Sequence, residues 1–227
     1  MPDANQFFTT ANSLAMATAI EQGDIAQMQA LVLSVDINAK HRRGMTYLMW
    51  SVANLQLASA KTLLALGADP SIDVEDVSYL SFAMNAEDIS WLQAFVDNGG
   101  DLQQMKKGSP VWFDVIYSQR WTHLDYLIEQ GVDINAVSDS GNSLILKLAS
   151  LDEYAQIEKL INLGANIKQT NSAGVSFAYS VQASQLSPKS PQYLYREKVI
   201  AQLSQQGIQL PVPAPREVLK QRRSLAH

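Results

Sequence analysis

The sequence contains no cysteine among its 227 residues. A disulfide framework, a thiolate metal site and a cysteine nucleophile are therefore excluded. Catalytic signatures built on other residues are also missing, since no Gly-x-Ser-x-Gly, Gly-x-x-x-x-Gly-Lys or His-Glu-x-x-His pattern occurs. The three histidines, His41, His123 and His227, lie far apart along the chain. These absences predict a protein that is not an enzyme and that needs no cofactor or metal.

Positive charge and long apolar runs are also scarce. The formal net charge of -5 argues against a general nucleic-acid binder. No apolar run approaches the ~20 residues that a membrane-spanning helix needs. The opening Met-Pro-Asp-Ala-Asn lacks the basic and apolar regions of a signal peptide. We therefore expect a soluble chain with no nucleic-acid partner and no transmembrane segment, monomeric when alone.

The chain does contain a repeated unit, which is clearest in the segment 131–149, GVDINAVSDSGNSLILKLA. Gly131 can take the positive φ that ends a preceding helix. Gly141 can turn a polar loop, and Ser143 can cap a helix over 144–149. The same unit recurs in phase, because the equivalent apolar positions are spaced by 32, 32 and 33 residues. These positions are Leu63, Phe95, Leu127 and Leu160, and the equivalent turn positions are Gly44, Asp76, Gly108, Gly141 and Gly174.

This pattern resembles the ankyrin repeat, with Thr46-Tyr47-Leu48-Met49 in place of the family's Thr-Pro-Leu-His. The resemblance implies an all-α ankyrin-repeat solenoid of about six helix-turn-helix units with finger loops. The predicted domain covers residues 1–210, and it is followed by a proline-rich linker and basic tail, 211–227. Within the domain we expect an N-terminal cap repeat, central repeats and a modified C-terminal cap repeat over 1–38, 39–170 and 171–210.

Both ends depart from the repeat. A helix over 14–20 begins the N-terminal cap, and Phe7 and Phe8 are predicted to cover the exposed end of the array. In the last repeat, the segment 184–191 is inserted before the helix predicted for 192–205. The basic tail permits two interpretations, a frayed solvated segment or a segment that folds back on the acidic body.

The aromatic residues divide by their phase in the repeat. Trp91 and Trp112 fall on positions that are normally buried, and Trp121 is predicted to be half-buried. Trp50 lies at a first-helix position that usually faces the concave surface, Phe82 occupies the same position one repeat later, and Tyr117 lies close to it in the next copy. These three residues form either a binding patch or local packing.

The predicted fingers alternate in charge. Lys40-His41-Arg42-Arg43 is basic, Asp73, Glu75 and Asp76 are acidic, and Lys106-Lys107 is basic again. Such loops are either solvated with arbitrary charge or steer one specific partner. The ankyrin resemblance implies protein binding through finger tips and the concave first-helix face. Carried onto matching positions, this implies Arg42, Arg43, Met45, Trp50, Ala53, Asn54, Glu75, Val77, Phe82, Asn85, Lys106, Lys107, Ser109, Asp114, Tyr117, Asp139, Ser140, Asn142, Lys147 and Ser150.

A narrower resemblance rests on the segments LAMATAIEQGD, GMTYLMWSVAN and SPQYLYREKVIAQLSQQG. These segments are similar to bacterial ankyrin-repeat immunity proteins associated with type VI secretion phospholipase effectors. The resemblance implies an antitoxin that binds a cognate lipase in the periplasm or envelope, with a possible lipid anchor outside this chain. The alternatives are a cytoplasmic adaptor or secreted effector with another protein partner, and a structural envelope protein that supports an enzyme.

Overall fold

The computed structural model describes residues 3–72 and 78–225, and these residues fold as successive pairs of antiparallel helices. The first helix has 12 residues in the first pair and six or seven residues in the later pairs. A loop connects each pair to the next. The first helices are α1 (Ala11–Gln22), α3 (Tyr47–Ala53), α5 (Tyr79–Asn85), the 3-10 helix Val111–Ile116, α8 (Leu144–Ser150) and α10 (Phe177–Ala183). The second helices are α2 (Ile25–Leu31), α4 (Leu57–Ala65), α6 (Ser90–Asp97), α7 (Trp121–Glu129), α9 (Tyr154–Asn162) and α11 (Gln192–Gln205), with α12 (Pro215–Leu225) after the last pair.

Hydroxyl side chains set the start of several first helices. Thr46, Ser143 and Ser176 each accept a hydrogen bond from the backbone N–H three residues later. Thr10 does the same for α1, and Ser13 returns a bond to the backbone of Thr10, which completes a capping box. Each cap satisfies a backbone donor that the helix itself leaves without an acceptor. The predicted cap at Ser143 is therefore confirmed.

The chain divides into two compact units, which we describe separately. The first unit comprises residues 1–104 and 114–127, and the second comprises 105–113 and 128–227. The first has a core of buried aromatic rings that includes Phe8, Tyr47, Trp50, Tyr79 and Phe95. The second is mainly aliphatic around Phe113, Tyr154 and Phe177. The predicted positions of Trp91 and Trp112 in the core and the half-buried position of Trp121 are confirmed.

Finger loops in the second unit are joined by backbone hydrogen bonds. The short strands β1 (Met105–Lys106) and β2 (Ser109–Pro110) form an antiparallel hairpin. Asp139 N–H donates to the Gly108 carbonyl at 2.7 Å, and Ser172 N–H donates to the Ser140 carbonyl at 2.9 Å. Each finger is thereby fixed to its neighbour, and the prediction of short hairpin-like fingers holds for these repeats.

The C-terminal region matches the prediction in its insertion but not in its tail. Helices α10 and α11 flank the inserted segment 184–191, as predicted. The tail, however, forms the helix α12, so the interpretation of a frayed segment is wrong. Arg222 Nη1 donates to the Asn171 carbonyl at 3.1 Å, and the Pro215 carbonyl lies against Gly174. The tail therefore folds back, through backbone contacts with the sixth repeat.

Candidate functional site: the finger tips and first-helix faces

The basic finger of the first unit is exposed, as a surface for partner contact requires. Arg42 and Arg43 are exposed, and Met45 at the finger base is half-buried. The backbone of Arg43 is left-handed, with φ 56°, and Gly44 follows at φ 71°. This pair of left-handed residues reverses the chain and places two guanidinium groups at the finger tip.

Of the two alternatives for Trp50, a binding patch and local packing, the binding patch is wrong. Trp50 is 0% exposed, its Nε1 donates to the Ala17 carbonyl at 3.2 Å, and its ring lies against Phe7 and Phe8 at centroid distances of 5.6 and 5.4 Å. Phe7 and Phe8 are themselves buried, and they pack on the second repeat. The two phenylalanines therefore cover Trp50.

The prediction that Asn54 is available for binding also fails on burial. Asn54 is 7% exposed, and its Nδ2 donates to the Trp50 carbonyl at 2.9 Å at the end of α3. The side chain therefore caps the helix from within. Ala53, its neighbour, is exposed. Asn85 repeats the contact one repeat later, donating to the Ser81 carbonyl at 2.7 Å, but Asn85 is exposed.

A polar and aromatic surface does form in the first unit between α5 and the segment 114–118, and we call it the α5 face. Phe82 is half-buried with its ring edge-on to Trp91 at 5.1 Å, and Tyr117 is 63% exposed. Asp114 Oδ2 accepts from Ser81 Oγ at 2.5 Å. Asn85 Oδ1 accepts from Ser118 Oγ at 2.6 Å. These two bonds join α5 to the segment that carries Tyr117.

Sequence reasoning missed Ser81 and Ser118, the two donors that hold the α5 face. A signal was available, because each lies one repeat period, 33 residues, from its partner. Residues one period apart occupy equivalent positions in adjacent repeats and therefore lie side by side. A search for complementary polar pairs at this spacing would have found both serines.

In the second unit most of the predicted residues belong to linked fingers, and Lys147 and Ser150 lie on α8. Asn142 Nδ2 donates to Ser140 Oγ at 2.8 Å, and Asn142 Oδ1 accepts from Asn171 Nδ2 at 2.8 Å. The Lys147 ammonium lies over the Phe113 ring at 5.5 Å. Lys107, Asp139, Ser140 and Ser150 are exposed, and Lys106, Ser109, Asn142 and Lys147 are half-buried.

The predicted acidic finger contains Asp73, Glu75 and Asp76. Glu75 and Val77, together with Asp73 and Asp76, lie outside the described residues. The predicted alternation of charge therefore stays a prediction for that finger. Within residues 3–72 and 78–225 no group of three or more His, Asp or Glu side chains could hold a metal ion. No helix in the same ranges is long and apolar enough to cross a membrane.

Comparison with known proteins identifies the fold. The sequence matches no protein-family model. An ankyrin repeat domain from Acinetobacter baumannii AYE superposes with a TM-score of 0.68 and 20% identity over 83% of this chain and 97% of that one. The ankyrin repeat domain of Bcl-3 superposes with a TM-score of 0.64 and 21% identity over 74% of this chain and 78% of that chain. The predicted all-α ankyrin-repeat fold is confirmed.

Two further similarities concern proteins with stated roles. A chain in the complex of a predatory endopeptidase with an immunity protein, from Bdellovibrio bacteriovorus, superposes with a TM-score of 0.62 and 23% identity over 81% of this chain and 97% of that chain. A human mitochondrial disaggregase is 30% identical over 146 residues, and the match spans 61% of this chain but only 20% of the disaggregase. Ankyrin-repeat domains are protein-binding modules, and this chain has their fold.

Proposed function

We propose that this protein is a non-catalytic immunity protein that binds and neutralises a cognate type VI secretion lipase toxin. The α5 face carries the proposal, because it presents an exposed Tyr117 on a segment that two side-chain hydrogen bonds join to α5. A tyrosine has few rotatable bonds and therefore loses little conformational freedom when a partner covers it. The structural likeness to a chain in an endopeptidase and immunity protein complex supports the class of function.

The binding surface differs from the one expected from the sequence. Trp50 and Asn54 are buried, so Tyr117 and the exposed part of Phe82 are the aromatic contacts available on the α5 face. Arg42 and Arg43 supply charge at the finger tip of the same unit. We propose that the basic finger accelerates encounter, while Tyr117 slows dissociation.

The proposal places the protein in the bacterial periplasm or envelope, where a lipase toxin would reach its substrate. A cytoplasmic adaptor with another protein partner is the alternative. The two differ in where the protein protects the cell. Protection from an exported lipase requires this chain on the same side of the membrane as the toxin.

The direct test is protection. We expect a gene beside this one to encode the lipase, and its product is expressed with an export signal, with and without this protein in the same compartment. We expect survival only with the protein present, and a 1:1 complex on size-exclusion chromatography. Undiminished killing together with no complex would overturn the immunity function.

The α5 face is tested by Tyr117→Ala, which should weaken the complex by about 2 kcal/mol, mainly through faster dissociation. Tyr195 is a matched control, because it is a tyrosine with 37% exposure on α11 in the other unit. Tyr195→Ala should leave binding unchanged. Equal losses for both variants would show that the α5 face has no special role.

A further inference from the structure

A cavity of about 480 Å³ opens in the first unit, away from the α5 face. It lies between the N-terminus of α1 and the segment that joins α2 to α3, and its lining includes Ala11, Asn12, Asp36, His41 and Tyr47. Its volume falls in the range of sites for small molecules. The protein-binding function described above makes no use of it.

Tyr47 is a closely packed aromatic residue in the lining of this cavity. It is 1% exposed, its ring is stacked on Phe8 with an interplanar angle of 3°, and the His41 ring packs edge-on against it at 4.8 Å. Within the described part of the chain no residue hydrogen-bonds the Tyr47 hydroxyl. A hydroxyl so placed can donate to a ligand and accept from it.

The two aromatic rings in the lining, those of Tyr47 and His41, are uncharged at neutral pH. Burial, reinforced by the Asp36 carboxylate, raises the pKa of Tyr47 to about 12. Burial lowers the pKa of His41, against the smaller opposite effect of Asp36. Asp36 is the acidic side chain among the lining residues.

The walls carry opposite electrostatic potential. Asp36 Oδ1 accepts from Asn38 N–H at 3.0 Å, and the second carboxylate oxygen has no partner within residues 3–72 and 78–225. The other wall is the N-terminus of α1, a helix of 12 residues. The N–H groups of Ala11 and Asn12 have no intrahelical acceptor there, and the helix dipole favours negative charge.

We propose that this cavity binds a zwitterionic α-amino acid or short peptide. Its ammonium group pairs with the free oxygen of Asp36, and its carboxylate accepts from the N–H groups of Ala11 and Asn12. The Tyr47 hydroxyl hydrogen-bonds the ligand between these two ends. A ligand with a single charge satisfies one wall and is opposed by the other. Val35 and Ala39 provide apolar surface for the ligand side chain.

Calorimetric titration of the full chain tests the charge requirement with four probes: leucine, leucylglycine, the cation leucinamide and the anion N-acetylleucine. We expect saturable binding of leucine or leucylglycine, and binding at least about tenfold weaker for both singly charged compounds. The tighter of the two zwitterions distinguishes a free amino acid from a peptide. A singly charged probe that binds as well as leucine, or no binding by any probe, would overturn the proposal.

Substitutions locate the site. Asp36→Asn and Tyr47→Phe should each lower the affinity for the zwitterion by about fivefold or more. Tyr47→Phe preserves the ring that stacks on Phe8. Asp69→Asn is the matched control, because Asp69 Oδ1 makes the same turn bond to Ser71 N–H, at 2.8 Å, one repeat later and outside the cavity. Equal weakening by Asp36→Asn and Asp69→Asn, or none by either cavity variant, would contradict the assignment.

Discussion

Leu55 occupies a backbone position that disfavours its side chain. Its φ is 55°, it is 70% exposed, and it lies in the turn between α3 and α4, where the first repeat has Gly23 at φ 67°. A left-handed conformation costs a residue with a Cβ roughly 1–2 kcal/mol, and glycine avoids most of this cost. The exposed side chain of Leu55 provides little burial in return.

We therefore expect Leu55→Gly to raise the free energy of unfolding by up to about 1 kcal/mol, measured by urea denaturation. Leu151 is the control, because it is also exposed at a helix end but has φ -105°. Leu151→Gly should destabilise the protein, since glycine there only adds freedom to the unfolded chain. A loss of stability with Leu55→Gly would show that the leucine makes a contribution that offsets its strain.

His123 connects stability to pH. The side chain is 1% exposed, and burial, followed by the Arg120 charge, lowers the pKa of His123. Between the depressed folded pKa and the ordinary value of about 6.5, the unfolded chain binds a proton that the folded chain does not. The stability contributed by neutral His123 is complete above the unfolded pKa and is lost as pH falls toward the folded one.

The unfolding free energy should consequently fall between pH 7.5 and pH 5.5, and it should fall less in His123→Gln. Comparing the two proteins at both pH values removes the contribution of His41, whose pKa is also lowered by burial. Parallel pH profiles for wild type and variant would contradict a role for His123.

At the scale of elements, α12 is held by a contact that only glycine permits. A Cβ at Gly174 would meet the Pro215 carbonyl oxygen at 2.6 Å and Leu219 Cγ at 3.1 Å. Gly174 also has φ 80°, so a substitution there combines backbone strain with a steric clash. Gly164, at φ 94°, has nothing within 4 Å of the same added atom.

Comparing Gly164→Ala with Gly174→Ala separates the effect of backbone strain from the effect of the contact with α12. Gly164→Ala should cost about 1 kcal/mol through its backbone alone. Gly174→Ala should cost more, and it should also raise amide exchange throughout 215–225, measured by mass spectrometry. Similar costs and unchanged exchange would mean that α12 does not depend on this contact.

Elements were predictable where the repeat is regular. The caps at Thr46 and Ser143 and the helix over 192–205 follow from local chemistry that a sequence displays. The helix α12 could not be predicted in this way, because its start at Pro215 resembled a linker. Its half-buried Val218 and Leu219 acquire a partner only when the sixth repeat has folded. Tertiary packing, which the local pattern does not contain, decides that segment.

At the scale of the whole molecule, repeat phase located the fold but not every exposed residue. The position of a residue within the repeat predicts which surface of the first helix it lies on. The surface that carries Trp50 is exposed only if no other segment covers it. Phe7 and Phe8 lie outside the regular period and cover it. Tyr117 and Arg42 are exposed, as their phase in the repeat predicts. Trp50 is buried, because the irregular N-terminal segment covers it.

Trp50→Ala should thus act on stability, lowering the free energy of unfolding by about 3–5 kcal/mol. Because repeats interact with their neighbours, we expect the loss of amide protection to be greatest in the first unit. Tyr117→Ala is the comparison, since its exposed side chain should leave stability within about 0.5 kcal/mol of wild type. Unchanged stability in Trp50→Ala would refute the buried position.

The position of α12 over the last finger has a consequence for solubility. Fingers in the second unit are joined by backbone hydrogen bonds, such as the one from Ser172 N–H to the Ser140 carbonyl. Backbone groups can form such bonds with any loop of suitable geometry, whatever its sequence. A final finger with an open edge would be a template for a finger of another molecule, and a head-to-tail contact of that kind grows into a fibre. By occupying the edge at Gly174, α12 terminates that growth within a single chain.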